Sequence, residues 1–225
     1  MEKTYRIAID GPSGAGKSTI SRRVAAELGI LYVDTGAIYR AVGLHMLRAG
    51  LDPSNSEEVA PALSGVNVRL TYDTRGQRIF LGDEDVSDLI RTPEASRAAS
   101  QVSAHPVVRT FLLDMQREIA HNSSCIMDGR DIGTVVLPDA ELKIFLTADA
   151  EDRARRRMLE LTERGTHQAF EDVLADMIER DERDKNREIA PLRQADDAVL
   201  LDTTGFELQD SISAVLAIIR EKISE

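Results

Sequence analysis

The chain opens on a short apolar run from Tyr5 to Ile9 and passes at once into a loop holding three glycines. Ile20, Val24 and Leu28 then recur at helical spacing across 17–28, so the pattern predicts strand, loop, helix. Gly29 ends that helix, residues 30–36 (ILYVDTG) predict a second strand, and 37–50 (AIYRAVGLHMLRAG) predict a second helix closed by Gly50. From Val66 the pattern changes: 66–72, a turn at 73–77 and 78–82 predict a β-hairpin, which reads as a lobe inserted into the main fold. Helical spacing returns over 92–120, with Pro106 dividing it into two helices. Three more strands are predicted at 125–128, 142–146 and 198–202, with two charge-rich helices between the last two. The final helix carries Ile212, Val215, Leu216 and Ile219 on one side, as a cover for a sheet would. Five short apolar strands alternating with helices imply an α/β fold, a parallel sheet flanked by helices on both faces.

Composition narrows the function classes. At 225 residues the chain suits one sizeable domain, 1–225. With 42% apolar and 30% charged residues, and no stretch approaching 18 apolar positions, a membrane span is not expected. A net charge of −11 makes polymeric nucleic acid a poor partner, although a few arginines in a cleft can still bind a phosphate. The one cysteine, Cys125, excludes an intrachain disulfide framework, and the N-terminal residues lack a basic region followed by an apolar core. A cytoplasmic, monomeric protein is expected. Cys125 begins the apolar run CIMD, which favours a buried strand residue over a reactive thiol.

The glycine loop carries the chemistry. Gly11, Gly16, Lys17 and Ser18 fit G-x-x-x-x-G-K-[ST], the phosphate-binding P-loop, and the loop follows a predicted strand and opens a predicted helix. Glycines let the main chain curl around an anion, and the helix adds the positive end of its dipole. Residues Gly11, Pro12, Ser13, Gly14, Ala15, Gly16, Lys17, Ser18 and Thr19 are therefore expected to bind ATP. Lys17 would reach the β- and γ-phosphates, and the Ser18 hydroxyl would join the shell of Mg²⁺. Asp34 and Asp128 end the second and third core strands, where ligands of parallel sheets bind. Asp128 is the better candidate for the Mg²⁺ shell, through water, with a capping or structural role as its alternative.

The arginines suggest phosphoryl transfer. Arg40, Arg130, the cluster Arg153, Arg155, Arg156 and Arg157, and the series Arg180, Arg183 and Arg187 supply the planar forks that neutralise transferring phosphates. A GTPase would need an N-K-x-D segment, and none occurs. Arg180, Asp184 and Arg187 share one helical face, which fits either a solvated helix laced with ion pairs or a site for a sugar and a phosphate. RARRRM fits either a basic face paired with surrounding acids or a mobile lid over ATP. A kinase for some other small acceptor and a non-catalytic ATP-binding switch remain alternatives.

Taken in order, GPSGAGKS (11–18), DTGAIYRAV (34–42), AASQVSAHPVVR (98–109), DGRDIGTVVLPDAELKIFL (128–146), ERDERDKNREIAPL (179–192) and QADDAVLLDTTG (194–205) resemble the bacterial-type cytidylate kinases, nucleoside monophosphate kinases. The resemblance runs from about residue 5 to residue 205. It implies a P-loop NTPase fold with a monophosphate-binding insert at about 60–100 and a short lid at about 150–165. It further implies transfer of the ATP γ-phosphate to CMP or dCMP in pyrimidine nucleotide metabolism. Thr35, Arg40 and Arg130 would face the acceptor and its phosphate, and Ser100, Arg109 and Asp131 would read the cytosine edge. Arg180 and Asp184 would hold the ribose, and Arg187 would sit near the phosphates. Lys17, Arg130, Arg153, Arg157 and Arg187 are the expected catalytic groups. Some family members place glycine after the P-loop lysine, so the Mg²⁺ role of Ser18 comes from the general P-loop pattern. Thr35 stands where serine can occur and keeps the hydroxyl.

Overall fold

The structure is a computed structural model and describes residues 4–163 and 165–223. Along the chain the elements run β1 (Arg6–Asp10), α1 (Lys17–Leu28), β2 (Leu31–Asp34), α2 (Thr35–Arg48), α3 (Ser56–Ala62), β3 (Val68–Asp73), β4 (Gly76–Leu81) and β5 (Glu84–Asp85). They continue with α4 (Pro93–Val102), α5 (Pro106–Asn122), β6 (Cys125–Gly129), β7 (Leu142–Thr147), α6 (Ala150–Glu163), α7 (Phe170–Asn186), β8 (Val199–Asp202) and α8 (Leu208–Ile223). Two compact units divide the chain, the first holding the described residues up to Leu31 and from Ser123 onward, the second Tyr32–Asn122.

The sheet has the five strands that the alternating strand and helix pattern led one to expect, in the order β2-β6-β1-β7-β8. β1 pairs in parallel with β6 and β7, and β7 with β8. The inner strands β1, β6 and β7 are buried nearly throughout, which is why they read as short, mainly apolar runs. Edge strand β8 alternates between half-buried and exposed positions. Register sets Ile9 beside Asp128 and Asp10 beside Gly129, so the loops leaving β1 and β6 start next to one another at the carboxyl edge of the sheet. Ile212, Val215, Leu216 and Ile219 of α8 are all buried, in keeping with a covering helix. Cys125 is buried in β6, and burial pushes its thiol up to about 11, so it behaves as a small apolar group.

In the second unit α2 starts at Thr35, two residues before the predicted start, because Asp34 turns the strand end into a helix cap. Its Oδ1 accepts the Ala37 amide at 2.8 Å. The core gathers Ile38, Val42, Met46, Ile79, Val102 and Leu112. α2 and α4 approach closely at Gly43, where a Cβ would stand 2.8 Å from that of Ala98. The hairpin of β3 and β4 is present, but its turn is tighter than predicted. Asp73 pairs with Gly76, leaving only Thr74 and Arg75 between the strands, and the Asp73 carboxylate takes the Arg75 amide at 2.7 Å. β5 adds a third strand of two residues, too short to leave a pattern. The Gln77 side chain pins β4 to the end of β2, accepting from Asp34 N–H at 2.9 Å and donating to its carbonyl at 3.2 Å. The stretch 60–100 lies inside this unit.

The stretch 150–165 is helical as α6 up to Glu163; residue 164 lies outside the described residues. Among the described residues no helix is long and apolar enough to cross a membrane.

Candidate active site

The loop between β1 and α1 has the backbone its glycines foretold. Gly11 passes so close to β7 that a Cβ would sit 1.9 Å from the Leu146 carbonyl oxygen, and Gly14, at φ 71°, would bring one to 2.5 Å from Met177 Cε. A side chain at Gly11 would force the main chain away from β7, and one at Gly14 would be strained by its left-handed backbone and would displace the end of Met177. α1 begins at Lys17, leaving the first amides of the helix facing the loop. Lys17 is buried and its Nζ donates to the Pro12 carbonyl at 2.6 Å. Burial first, then the Arg130 guanidinium, hold its ammonium well below the ordinary lysine value. Anionic phosphate oxygens entering the loop would act against both by favouring the charged ammonium.

Ser18 Oγ donates to Asp128 Oδ2 at 2.7 Å, which brings the two expected Mg²⁺ groups together. Among the described residues no group of three or more His, Cys, Asp or Glu is gathered for a metal. Two hard oxygens fit Mg²⁺, which keeps several waters and takes further ligands from nucleotide phosphates.

Beyond β6 the chain turns through Arg130 and Asp131 into a π-helical turn at Ile132–Val136. Asp10, the last residue of β1, fixes that turn: Oδ1 accepts the Ile132 amide at 2.8 Å and Oδ2 the Gly133 amide at 2.7 Å. Burial pushes Asp10 up to about 7, against the two amides and Lys17, which pull it down. Arg130 Nε donates to Asp184 Oδ2 at 3.0 Å, and Arg187 Nη2 donates to Asp131 Oδ1 at 3.3 Å. Arg187 Nη1 also lies 3.8 Å from Asp184 Oδ1. Burial works against the Asp184 charge, but Arg130, Arg180 and Arg187 outweigh it and hold the carboxyl below its usual range. Arg187 follows the last turn of α7, and its Nε donates to the Ala190 carbonyl. Four expected residues, Arg130, Asp131, Asp184 and Arg187, thus form one alternation of charge, half-buried at Arg130 and buried at the other three side chains, with Arg180 close enough to act on Asp184. Spacing alone left a solvated helix face open for Asp184 and Arg187; the structure buries both side chains.

The arginines of α6 separate by burial. Arg155 is exposed and pairs with Glu151 and Asp152, and Arg157 pairs with Glu160 at 2.7 Å. Arg156 reaches Thr203, donating to its hydroxyl at 3.1 Å and its carbonyl at 2.6 Å. Arg153 is buried. It donates to the Ala148 carbonyl at 2.9 Å and the Ser13 carbonyl at 2.8 Å and pairs with Asp181.

In the second unit Thr35 and Ser100 are buried, on α2 and α4. Arg40 Nη2 pairs with Asp34 Oδ2 at 2.8 Å; burial opposes the Asp34 charge, but Arg40 and Arg91 hold its carboxyl below the ordinary value. Arg109 of α5 is buried, donates to the Ser103 carbonyl at 3.2 Å and lies 5.5 Å from the Tyr39 ring centroid.

Sequence reasoning missed Asp10, Asp181 and the tie from Arg156 to Thr203. Asp10 carried the same signal that singled out Asp34 and Asp128, an acid at a strand's carboxyl end. Asp181 carried no such signal, standing in a run where charges alternate.

The family model described as cytidylate kinase matches residues 7–221. A cytidylate kinase of Carboxydothermus hydrogenoformans is 47% identical over 217 residues, covering 96% of this chain and 98% of that protein. One from Desulfitobacterium hafniense is 46% identical over 223 residues, covering 99% and 96%. Among solved structures, an uncharacterised protein of Eubacterium ventriosum shares the fold at a TM-score of 0.52 and 12% identity, covering 96% of this chain and 98% of that one. Identity at this level over nearly the full length, in a chain that builds the glycine loop and the arginine-carboxylate cluster in one unit, leaves a single assignment: the chain belongs to the cytidylate kinase family.

Proposed function

We propose that the protein transfers the γ-phosphoryl group of ATP to the 5′-phosphate of CMP or dCMP, giving the diphosphate and ADP. The observation that carries this reading is the charge-alternating cluster of Arg130, Asp131, Asp184 and Arg187 in a chain of this family that also builds a phosphate-receiving loop. Phosphoryl transfer needs alignment and charge neutralisation more than covalent chemistry from the protein. The acceptor phosphate, with a second pKa near 6, is already a nucleophile at neutral pH, so no general base is assigned.

Residues 11–19 would wrap the ATP phosphates, with the Lys17 ammonium on the β- and γ-oxygens. Ser18 would hold Mg²⁺ directly and Asp128 through water; the ion, when bound, neutralises charge on the β- and γ-oxygens. Arg130 and Arg187 would take acceptor and transferring phosphate oxygens, with Arg157 joining them from α6. Arg180 and Asp184 would hold the ribose. Asp131 would accept from the exocyclic amine of cytosine, whereas uracil would present a carbonyl to the carboxylate and leave it unpaired. In the second unit, Thr35 and Arg40 are assigned to the acceptor phosphate and Ser100 and Arg109 to the base.

The test is turnover with Mg²⁺ and ATP over CMP, dCMP, UMP, AMP, GMP and dTMP. Rapid ADP formation with CMP or dCMP is expected. Untouched CMP beside rapid use of another acceptor, or of none, would overturn the reading.

A further inference from the structure

Ser13 lies in the P-loop, yet both of its main-chain polar groups are bonded within the protein. Its amide donates to Asp181 Oδ1 at 2.9 Å, and its carbonyl accepts from Arg153 Nη1 at 2.8 Å. The two side chains also pair with each other, through Arg153 Nη1 and Asp181 Oδ2. Both are buried, at 8% and 4% exposure, and Arg153 Nε is anchored on the Ala148 carbonyl, where β7 passes into α6. The next residue is pressed on the same two helices: a Cβ on Gly14 would meet Met177 of α7 at 2.5 Å and the Arg153 carbonyl at 3.0 Å.

We propose that Asp181 and Arg153 are positioning residues that grip Ser13 and so hold the P-loop in the shape that receives the phosphates of ATP. A glycine-rich loop has many conformers and must lose that freedom to present its amides to an anion. Tethering Ser13 by its donor and its acceptor fixes the loop just ahead of Gly14, and it does so with a charge-assisted bond on each side. Ser13 therefore contributes shape, and presenting amides to the ligand falls to the residues that follow it. The inference rests on the reading of this loop as the ATP site and is independent of which acceptor is used.

The two substitutions Asp181→Asn and Arg153→Lys keep size and break the arrangement. Asparagine still accepts the Ser13 amide but turns a donor toward Arg153. Lysine cannot reach Ala148, Ser13 and Asp181 together. Each variant of the full chain should bind a fluorescent ATP analogue about tenfold more weakly, the effect of losing one charge-assisted hydrogen bond, and raise KM for ATP while KM for CMP stays within about twofold. Because the two residues act through one contact, the double variant should be little worse than the worse single one. Unchanged ATP affinity, or equal losses for both nucleotides that track a lowered melting temperature, would overturn the proposal. Should either variant fail to fold, amide exchange on the unaltered protein decides. The Ser13 amide should exchange slowly without nucleotide, and fast exchange there would refute the grip. ATP binding measured without acceptor keeps this outcome separate from the choice of CMP.

Discussion

The Ser18 hydroxyl and the Asp128 carboxylate, 110 positions apart in sequence, meet at 2.7 Å, one at the start of α1 and the other near the end of β6. If the pair supports Mg²⁺, Ser18→Ala and Asp128→Asn should each raise the Mg²⁺ concentration for half-maximal rate by about tenfold to a hundredfold. Magnesium titrations at saturating ATP check this. An unchanged midpoint in both variants would leave the pair a purely structural contact.

Gly11 has no room for a side chain against the Leu146 carbonyl. Gly11→Ala should destabilise the protein by about 1–3 kcal/mol and lower ATP affinity, because the loop must move away from β7 to admit the methyl group. Thermal melting and ATP binding together read both effects.

Asp184 is buried between guanidinium groups, with its carboxyl held below the usual range. Such a group contributes stability that is present above the unfolded value near 4 and is lost as pH falls through the folded value. Asp184→Ala should cost about 3 kcal/mol or more at neutral pH, since it leaves Arg130 and Arg187 without their shared carboxylate. The gap between variant and wild type should narrow as pH falls below about 4. Urea unfolding at several pH values measures it.

Asp10 shifts the other way, up to about 7. The folded protein keeps this proton after the unfolded chain has released it. The associated stability is therefore full below about 4 and lost as pH rises through about 7. The carboxyl carbon resonance of Asp10, followed by NMR, should titrate with a midpoint near 7; a midpoint in the ordinary carboxylate range would show that the two amides outweigh burial.

Asp131→Ala should reduce the preference for CMP over UMP by about tenfold or more, the size of effect expected when a polar base contact is lost. The acceptor panel repeated on this variant checks it, and retained preference would free Asp131 from the base-reading role while leaving the phosphoryl transfer intact.

What could be read from the chain was what local spacing controls. Gly11, Gly16, Lys17 and Ser18 follow one another because a loop around an anion has a fixed geometry, and the five core strands announced themselves because the inner ones are buried on both faces. Contacts closed over long separations left no such trace. Asp10 meets Ile132 across 122 positions and Asp181 meets Ser13 across 168, and nothing near either acid marks its partner. Four arginines of α6 looked alike in sequence, yet helix geometry buries Arg153 against Ser13 and leaves Arg155 to solvent. The early start of α2 escaped because Asp34 serves two elements, closing β2 and capping the helix that follows.

Asp181 and Asp184 stand three positions apart on α7, the first bonded to Ser13 and the second to Arg130. A helix rises 1.5 Å per residue, so the offset between those two attachments is about 4.5 Å and cannot be stretched. The helix is in this sense a ruler. Inserting or deleting one residue between the two acids would rotate one attachment out of register while leaving the other in place, a far harsher change than any substitution at either end.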